Sequence, residues 1–201
     1  MPDNNFYYTI EKGSVAEFKD RGSRFIAIAF PVTKAEDFKN RLKQLKEEHP
    51  KAVHHCFAYR IGTDGNNFRS SDDGEPSGTA GKPILGQLDS KKLTNTAVVV
   101  VRYFGGTLLG VPGLINAYKT AASFVLQTLP LVKKAIEENY LLQFDYTVLN
   151  DVMMLIRKHK CSILKKEMQL FCEMEIGVPR INLELFLIQV KNIRSMQINI
   201  I

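Results

Sequence analysis

Residues 96–110 read Thr96-Ala-Val-Val-Val-Val-Arg-Tyr-Phe-Gly-Gly-Thr-Leu-Leu-Gly110, and this stretch decides the fold. The unbroken β-branched run over residues 98–101 predicts a central strand that is buried on both faces. A glycine-rich turn follows, and Pro112 suits the first turn of a helix. One side of that helix should face the core through Leu114, Tyr118, Ala121 and Val125. A buried strand that leads into a helix in this way predicts a mixed α+β domain.

Two more strands, a helix and a loop are predicted before this unit. Residues 25–30 form an apolar strand, and Thr33-x-x-Glu36 matches a capping box that starts a helix. The core positions of that helix are Phe38, Leu42 and Leu45. Residues 54–61 predict a second strand. In residues 62–81, 16 of 20 positions are Gly, Ser, Thr, Asp, Asn or Pro, which predicts a long loop with a function or high mobility.

A change in composition predicts two domains. The segment 132–138 has the charged composition of a linker, and we place the domain boundary there. The first domain should cover residues 1–135 and the second residues 136–201. Beyond the boundary, apolar and polar residues alternate over 140–148, which is typical of a half-buried strand.

The second domain continues with a regular order of elements. Asn150 or Asp151 can cap a helix whose apolar face carries Val152, Leu155, Ile156 and His159. Residues 161–167 and 170–177 predict a hairpin, and residues 196–200 predict a last strand. Between them a second helix should face the core with Ile181, Leu185 and Ile188. The order βαββαβ in about 65 residues is the ferredoxin-like signature, with an antiparallel sheet and both helices on one face.

Composition bounds the class of protein. The chain has 201 residues, of which 45% are hydrophobic and 24% are charged, and these values exclude bulk disorder. No apolar run reaches the roughly 20 residues of a membrane-spanning helix. Residues 1–5 have neither the basic nor the apolar part of a secretory signal. The three cysteines form no disulfide framework, so we expect a cytoplasmic protein with no membrane partner.

Positive charge is concentrated in the first part of the chain. Residues 1–135 hold 19 Lys and Arg against 13 Asp and Glu, a net charge of +6, whereas residues 136–201 are balanced. A basic face favours an anionic partner such as nucleic acid. The alternative is a solvated surface that serves solubility.

Common catalytic and metal-binding motifs are absent from the sequence. Glu75 stands where the nucleophile-elbow pattern G-x-S-x-G requires glycine, and prolines interrupt the only Walker-like string, which ends at Gly81-Lys82. His54-His55-Cys56 has no second cluster at zinc-like spacing. We therefore predict no metal site and no cofactor.

Three segments remain as candidates for function, and the first is the strand 54–60. Alternation places His54, Cys56, Ala58 and Arg60 on one face and His55, Phe57 and Tyr59 on the other. The first face brings an imidazole, a thiol and a guanidinium to one place. The alternative is that Cys56 and Ala58 pack inward and His54 is hydrogen-bonded at the strand end.

The second candidate is the loop 70–81. It carries the carboxylates of Asp72, Asp73 and Glu75, together with the hydroxyls of Ser71, Ser77 and Thr79. Carboxylate and hydroxyl oxygens can bind a hard cation such as Mg²⁺, and backbone N–H groups of such a loop can bind phosphate. The alternative is an Asx-type turn in which the aspartates satisfy their own backbone.

The third candidate follows the central strand. Arg102, Tyr103 and Phe104 arrive at a turn that contains Gly105 and Gly106, just before a helix. A helix N-terminus can hold an anion, and an aromatic ring beside a guanidinium can stack on a base. The alternative is that the glycines permit close packing and the aromatics complete the core.

These segments also carry a resemblance to a known family. The strings are His54-x-Cys-x-Ala-Tyr-Arg-Ile-Gly62, Ser71-Asp-Asp-Gly-Glu-Pro-Ser-Gly-Thr-Ala-Gly81 and Val100-Val-Arg-Tyr-Phe-Gly-Gly-x-x-Leu-Gly110. Over about residues 15–130 the chain resembles the IMPACT/YigZ family, and residues 138–201 are similar to the C-terminal domain of its bacterial members. One departure is Asn116, where the family has an arginine, and this weakens any anion-binding role there.

The resemblance implies a fold and a cellular role. The first domain should have the left-handed βαβ fold of a small-subunit ribosomal protein domain, and the second should resemble the ferredoxin-like last domain of elongation factor G. Both of these relatives contact RNA, so RNA or the ribosome is an expected partner. Eukaryotic members regulate translation through an extra N-terminal domain that is not in this sequence, and no established reaction comes with the family.

Three hypotheses about function follow. The first is a non-catalytic protein that binds nucleic acid or the ribosome, with Arg60 and Arg102 on phosphate and Tyr103 or Phe104 stacked on a base. The second is an enzyme that acts on a small phosphorylated or peptide-like substrate through the acidic loop 70–81, assisted by His54 or Cys56. The third is a regulator that binds a protein partner. The candidate ligand-binding residues are His54, Cys56, Tyr59, Arg60, Ser71, Asp72, Asp73, Glu75, Ser77, Thr79, Arg102, Tyr103, Phe104, Gly105 and Gly106.

Overall fold

The computed structural model describes residues 5–201. Residues 1–4, which belong to the segment in which the sequence predicts no secretory signal, lie outside the described residues. The described chain divides into two units, Tyr7–Lys134 and Ala135–Ile201, with Asn5 and Phe6 grouped with the second. That residues 1–135 and 136–201 fold as separate domains stays a prediction. Within the described range, no helix is both long enough and apolar enough to cross a membrane.

The first unit contains three helices and a five-stranded sheet. The elements that lie wholly or mostly in it are β1 Phe6–Thr9, β2 Ser14–Asp20, β3 Ser23–Pro31, α1 Ala35–Glu48, β4 His54–Ile61, β5 Asn67–Ser71, α2 Gly81–Ser90, β6 Thr96–Tyr103, α3 Gly110–Gln127 and β7 Val132–Ala135. The sheet order is β2-β3-β6-β4-β5, and every neighbouring pair is antiparallel. β1 and β7 form a separate two-stranded sheet.

The predicted central strand is confirmed and lies in the middle of three layers. Val98 and Val100 pack in the core beneath α2 and α3, whereas Val99 and Val101 pack in the core beneath α1. The alternation of side chains along β6 explains this division. The same alternation sends Arg102 to the α3 side, whereas Tyr103 packs against the core beneath α1.

Some predicted details of the first unit are wrong. α1 has Lys34 at its N-cap, so Thr33 lies one residue before the capping position. Phe38 and Leu45 are buried as predicted, but Leu42 is half-buried. The polar stretch 62–81 is not one loop, because β5 forms within it and pairs with β4. Polar edge strands lack the apolar run that sequence patterns detect.

The second unit shows the predicted order βαββαβ. Its elements are β8 Glu137–Asp145, α4 Leu149–Lys158, β9 Ser162–Met168, β10 Phe171–Pro179, α5 Leu183–Val190 and β11 Met196–Ile200. The sheet order is β11-β8-β10-β9, and its neighbouring strands are antiparallel. The core of this unit includes Val152, Leu155 and Ile156 of α4, as the spacing predicted.

Three predictions in this part of the chain are wrong. The segment 132–138 consists largely of strand residues of β7 and β8 rather than a linker. α4 has Val148 at its N-cap, with no side-chain capping hydrogen bond among the described residues, rather than Asn150 or Asp151, and the Asp145 side chain caps only the 3₁₀ turn that precedes the helix. The residues predicted to bury α5, namely Ile181, Leu185 and Ile188, are each more than half exposed. α5 is apolar around most of its circumference, so spacing did not identify its buried side, which carries Phe186 and Val190.

Candidate functional site

The ends of β4 and β6 bring the chemistry-bearing residues together. His54 pairs with Arg102 in the antiparallel register. One Arg102 guanidinium nitrogen donates to Glu75 Oε1 at 2.6 Å, and the two side chains are only 6% and 3% exposed. The Tyr118 hydroxyl donates to the same oxygen at 2.7 Å. Arg102 is therefore held in a buried ion pair.

The loop before α2 is organised by Asp72. Its carboxylate accepts backbone N–H bonds from Gly78, Ala80 and Gly81 at 2.8–3.0 Å. Burial by itself raises the pKa of Asp72, but these hydrogen bonds outweigh it, so the pKa lies below its ordinary value. The Cys56 thiol donates to the Asp72 backbone carbonyl at 3.0 Å. These bonds fix the loop in the position that delivers Glu75 to Arg102.

Asp73 fastens the same loop to the end of β4. Its carboxylate accepts the His55 backbone N–H at 2.7 Å and lies 3.3 Å from the Lys46 ammonium. Its backbone carbonyl lies 2.8 Å from His54 Nδ1. A carbonyl oxygen can only accept, so Nδ1 of His54 carries the proton of this hydrogen bond.

The three carboxylates of the loop therefore serve different partners. Asp72 binds backbone within the loop, Asp73 binds β4, and Glu75 binds Arg102. Across residues 5–201, no group of three or more His, Cys, Asp or Glu side chains is placed to hold a metal ion. The Asp72 side chain satisfies the backbone of its own loop, as the second interpretation proposed, but through N–H groups six to nine residues further on and not through an Asx turn.

An open cavity of about 410 Å³ lies beside this cluster. His54, Glu75, Arg102 and Phe104 contribute to its lining, and the remaining lining residues are largely aliphatic. These are Val53, Pro76, Leu108, Leu109, Gly110, Val111 and Leu114. His54 Nε2 lies 3.9 Å from Glu75 Oε1, beyond hydrogen-bond distance, and 23% of the His54 side chain is exposed. The cavity is an apolar surface with one imidazole at its edge.

Arg60 and Tyr59 do not belong to this site, contrary to the sequence prediction. Arg60 pairs with Thr96 at the other end of β6, six residues from His54 and so about 20 Å away along the strand. It forms an ion pair with Asp89 at 2.7 Å. Tyr59 is buried beneath α1 beside Phe38 and Phe57. His54 and Arg60 are close in the sequence, but the extended strand β4 holds their side chains at its opposite ends.

Tyr103, the last residue of the central strand, and the residues that follow it also separate. The Tyr103 hydroxyl lies 2.9 Å from His49 Nδ1 on the α1 side, whereas Phe104 is 47% exposed at the cavity. Gly105 donates to Ser23 Oγ at 3.2 Å, and a Cβ on it would lie 1.9 Å from the Gly22 backbone. The glycine is thus required for close approach, as one of the two sequence interpretations proposed. Gly106 has a φ of +86°.

The hydroxyl residues of the loop have local roles. Ser71 Oγ accepts the Asp73 N–H at 3.2 Å, and Thr79 Oγ1 donates to the Pro76 carbonyl at 2.6 Å. Ser77 is exposed. Of the hydroxyls singled out by sequence, two therefore stabilise the turn and one faces solvent.

The buried acids of the site are poorly suited to nucleophilic chemistry. Cys56 is fully buried, and burial raises the pKa of its thiol to about 12. Burial also raises the pKa of Tyr118 far above its ordinary value. Because the thiolate is the reactive form, Cys56 is a structural residue of the core.

Sequence reasoning missed two groups that complete the site. Tyr118 was predicted only as a core residue of α3, and Ser23 was not singled out. Ser23 Oγ lies 3.5 Å from the Arg102 guanidinium. A buried tyrosine hydroxyl needs a hydrogen-bond partner, and this rule is the signal by which Tyr118 could have been found.

Comparisons with known proteins agree with the motifs. Residues 21–126 match the model of the Impact N-terminal domain. An IMPACT family member of Haemophilus influenzae is 36% identical over 89% of this chain and 88% of its own length. The Escherichia coli family member YigZ is 36% identical over 78% of each chain. A solved structure of a hypothetical protein superposes with a TM-score of 0.75 at 31% identity and covers 98% of both chains. On this sequence and structural similarity, the chain belongs to the IMPACT family.

Proposed function

We propose that the protein is a non-catalytic binding protein linked to translation, and that it recognises a protein component of the translation apparatus through the cavity beside Arg102. The main support for this proposal is that the charged side chains of the motif, Arg102 and Glu75, bind each other and not an external ligand. Arg102 and Glu75 neutralise each other under nearly complete burial. What remains accessible at the site is chiefly apolar, as is the centre of a protein–protein interface.

The chemistry of the site favours binding over catalysis. A transfer or hydrolysis reaction needs an activated nucleophile or a positioned acid and base. The Cys56 thiol is buried with a pKa of about 12, and one Glu75 oxygen accepts from both Arg102 and Tyr118. His54 offers one ring nitrogen to a largely aliphatic cavity. This arrangement lacks the paired groups that an enzyme would use.

The two arginines also disfavour binding through RNA phosphates. Arg60 and Arg102 lie at opposite ends of the β4–β6 pair, and each has a carboxylate partner. A phosphate contact by Arg102 would leave Glu75 buried without its cation, which is costly. A protein surface that presents apolar side chains avoids this cost.

The link to translation is supported by the family and by the folds that it implies. We propose the left-handed βαβ fold for the first unit and, for the second, the ferredoxin-like fold of the last domain of elongation factor G. The order βαββαβ and the antiparallel sheet of the second unit are consistent with this assignment. One side of that sheet carries Gln143, Lys165, Glu173 and Glu175, together with the exposed ring of Phe171 at the start of β10.

Co-sedimentation with purified ribosomes tests the proposal directly. We expect the full chain to pellet with ribosomes, and we expect Leu108→Ser to weaken this because Leu108 is 82% exposed at the cavity. The matched control is Val15→Ser, since Val15 is 62% exposed on β2, away from the cavity lining. Naked RNA titrated by fluorescence anisotropy should bind no better than the roughly 10⁻⁴–10⁻⁶ M of non-specific contacts at physiological salt.

Two results would contradict the proposal. A chain that stays in the supernatant at every ribosome concentration removes the link to translation. Tight RNA binding with a steep salt dependence replaces the protein partner with nucleic acid. A thermal-shift series with Mg²⁺ and Mn²⁺ checks the enzyme hypothesis, and we expect no rise in melting temperature.

A further inference from the structure

His54 presents one free hydrogen-bond acceptor at the edge of the cavity. Its Nδ1 donates to the Asp73 carbonyl at 2.8 Å, so in the neutral ring Nε2 holds the lone pair. Nε2 has no hydrogen-bond partner among the described residues, and Glu75 Oε1 at 3.9 Å is too far to be one. A ligand in the cavity therefore meets an acceptor whose direction is fixed by the loop.

The Glu75 and Arg102 side chains of the lining are bonded to each other and almost fully buried, with 3% and 6% exposed, and Arg102 Nε is buried without a hydrogen-bond partner in the described part of the chain. Their opposite charges cancel, so the floor of the cavity attracts neither anions nor cations strongly. A ligand that carries several polar groups would lose hydration there without compensation.

The walls fit a flat apolar ring. Phe104, 47% exposed, provides an aromatic surface, and Leu108 and Val111 are 82% and 51% exposed at the rim. The volume of about 410 Å³ exceeds that of one large side chain and lies in the range of pockets that take a compact ligand. A cavity with apolar walls and one accessible acceptor, His54 Nε2, favours an aromatic ring that carries one hydrogen-bond donor.

We propose that this cavity holds the aromatic side chain of a protein partner, a tryptophan or a tyrosine, whose ring N–H or O–H donates to His54 Nε2. The inference deepens the proposed function, on which it rests, by naming the chemistry of the partner. A nucleobase has several donors and acceptors on its edges, and the cavity offers one accessible match. The excess positive charge of residues 1–135 favours acidic residues beside the aromatic one.

A pair of probes tests the hydrogen bond in the unaltered full chain. Indole and 1-methylindole have nearly the same ring, but the second lacks the N–H. Titrated at pH 8 and followed by NMR shifts of the Leu108 and Val111 amides, indole should bind about 3- to 10-fold more tightly. Equal affinity for the two probes, or no shift with either, would overturn the assignment.

Substitution of His54 tests the acceptor. In His54→Leu the preference for indole over 1-methylindole should disappear, whereas His54→Gln, which keeps a side-chain oxygen acceptor, should retain part of it. Because His54 also anchors Asp73, each variant is first checked for an unchanged spectrum away from residues 72–75. If His54→Leu still binds indole more tightly than 1-methylindole, the indole N–H must donate to an acceptor other than His54, and the proposal is contradicted.

A third comparison identifies the source of the ring. An acidic peptide with one tryptophan should bind the full chain more tightly than the same peptide with alanine, and more tightly than single-stranded RNA of similar length. Stronger binding of RNA would overturn the choice of a protein partner. If the indole preference is present but the chain does not pellet with ribosomes, the cavity assignment stands and the proposed function fails. If the chain pellets with ribosomes and the indole preference is absent, the proposed function stands and the cavity assignment fails.

Discussion

The two motif arginines, Arg102 and Arg60, stand at opposite ends of the β4–β6 pair and have different environments. Both bind a carboxylate, Glu75 at 2.6 Å and Asp89 at 2.7 Å. The first pair is 6% and 3% exposed, whereas the second is 19% and 47% exposed. Both are arginine–carboxylate ion pairs, but their contributions to stability should differ, because water screens the Arg60–Asp89 pair and does not screen the Arg102–Glu75 pair.

The neighbours of the two arginines follow the same division. Around the Arg102–Glu75 pair, the Arg102 guanidinium lies 3.5 Å from the buried Ser23 hydroxyl, and the buried Tyr118 hydroxyl donates to Glu75, whereas Arg102 Nε is buried without a hydrogen-bond partner within residues 5–201. Around Arg60 they are the Gly65 carbonyl and the ring of Phe68, 4.8 Å from the guanidinium carbon, on a partly exposed edge strand. The comparison indicates that the Arg102 end holds the loop in place and the Arg60 end is peripheral.

The largest effect should come from removing the buried acid. Glu75→Ala leaves Arg102 buried without a counter-charge and Tyr118 without its acceptor, so we expect a loss of about 3–5 kcal/mol in the free energy of unfolding. Urea denaturation followed by circular dichroism measures it. The double variant Glu75→Leu with Arg102→Met should recover most of this loss, because no charge is then left buried. A single variant as stable as the wild type would show that the pair is not buried in solution.

The next effect concerns the loop that positions Glu75. Asp72→Asn weakens three backbone hydrogen bonds, and we expect a loss of about 1–3 kcal/mol at pH 7. Because the pKa of Asp72 is lower in the folded chain than its ordinary 3.8, this stabilisation is complete above that value. It is lost as the pH falls through the lower folded pKa. Unfolding free energies of both proteins across this range should therefore converge on acidification, and a constant difference would argue against the assignment.

The peripheral pair should contribute little. Asp89→Ala removes the partner of Arg60, and we expect a change of at most about 1 kcal/mol, smaller still in high salt. Urea unfolding at two salt concentrations measures it. A loss as large as that of Glu75→Ala would mean that exposure does not distinguish the two arginines.

The smallest effect is expected for alkylation of Cys56, which lies in the core beneath α2 and α3. Burial raises the pKa of its thiol to about 12, so the folded chain should show no alkylation of Cys56 by iodoacetamide at pH 8. Peptide mass spectrometry identifies the modified cysteine, and the urea-unfolded chain is the positive control. Rapid labelling of Cys56 in the folded protein would show that the cluster opens frequently.

Sequence patterns predicted the parts of the fold that long apolar periods specify. The run 98–101 identified the central strand, and the alternation in 54–60 assigned Cys56 and Tyr59 to opposite faces. The edge strand β5 and the buried side of α5 were missed, since a polar edge and an all-round apolar helix have no distinguishing period.

The candidate site was predicted in its residues more than in its geometry. The sequence brought His54, Glu75 and Arg102 to attention through motif and charge. It did not show that Arg102 and Glu75 bind each other, because such pairing depends on the register of β4 against β6 and on the path of the loop. For the same reason Arg60 was placed with Arg102 when the strand separates them.

The middle position of β6 has a practical consequence for measurement. Its backbone is paired on both sides, with β3 and with β4, and Val98 to Val101 are completely buried. Amide protons in such a strand exchange with solvent deuterium only when the whole unit opens. Their exchange rates therefore record the global stability of the first unit, and the slowing of exchange by an added molecule would measure its binding energy without any assay of function.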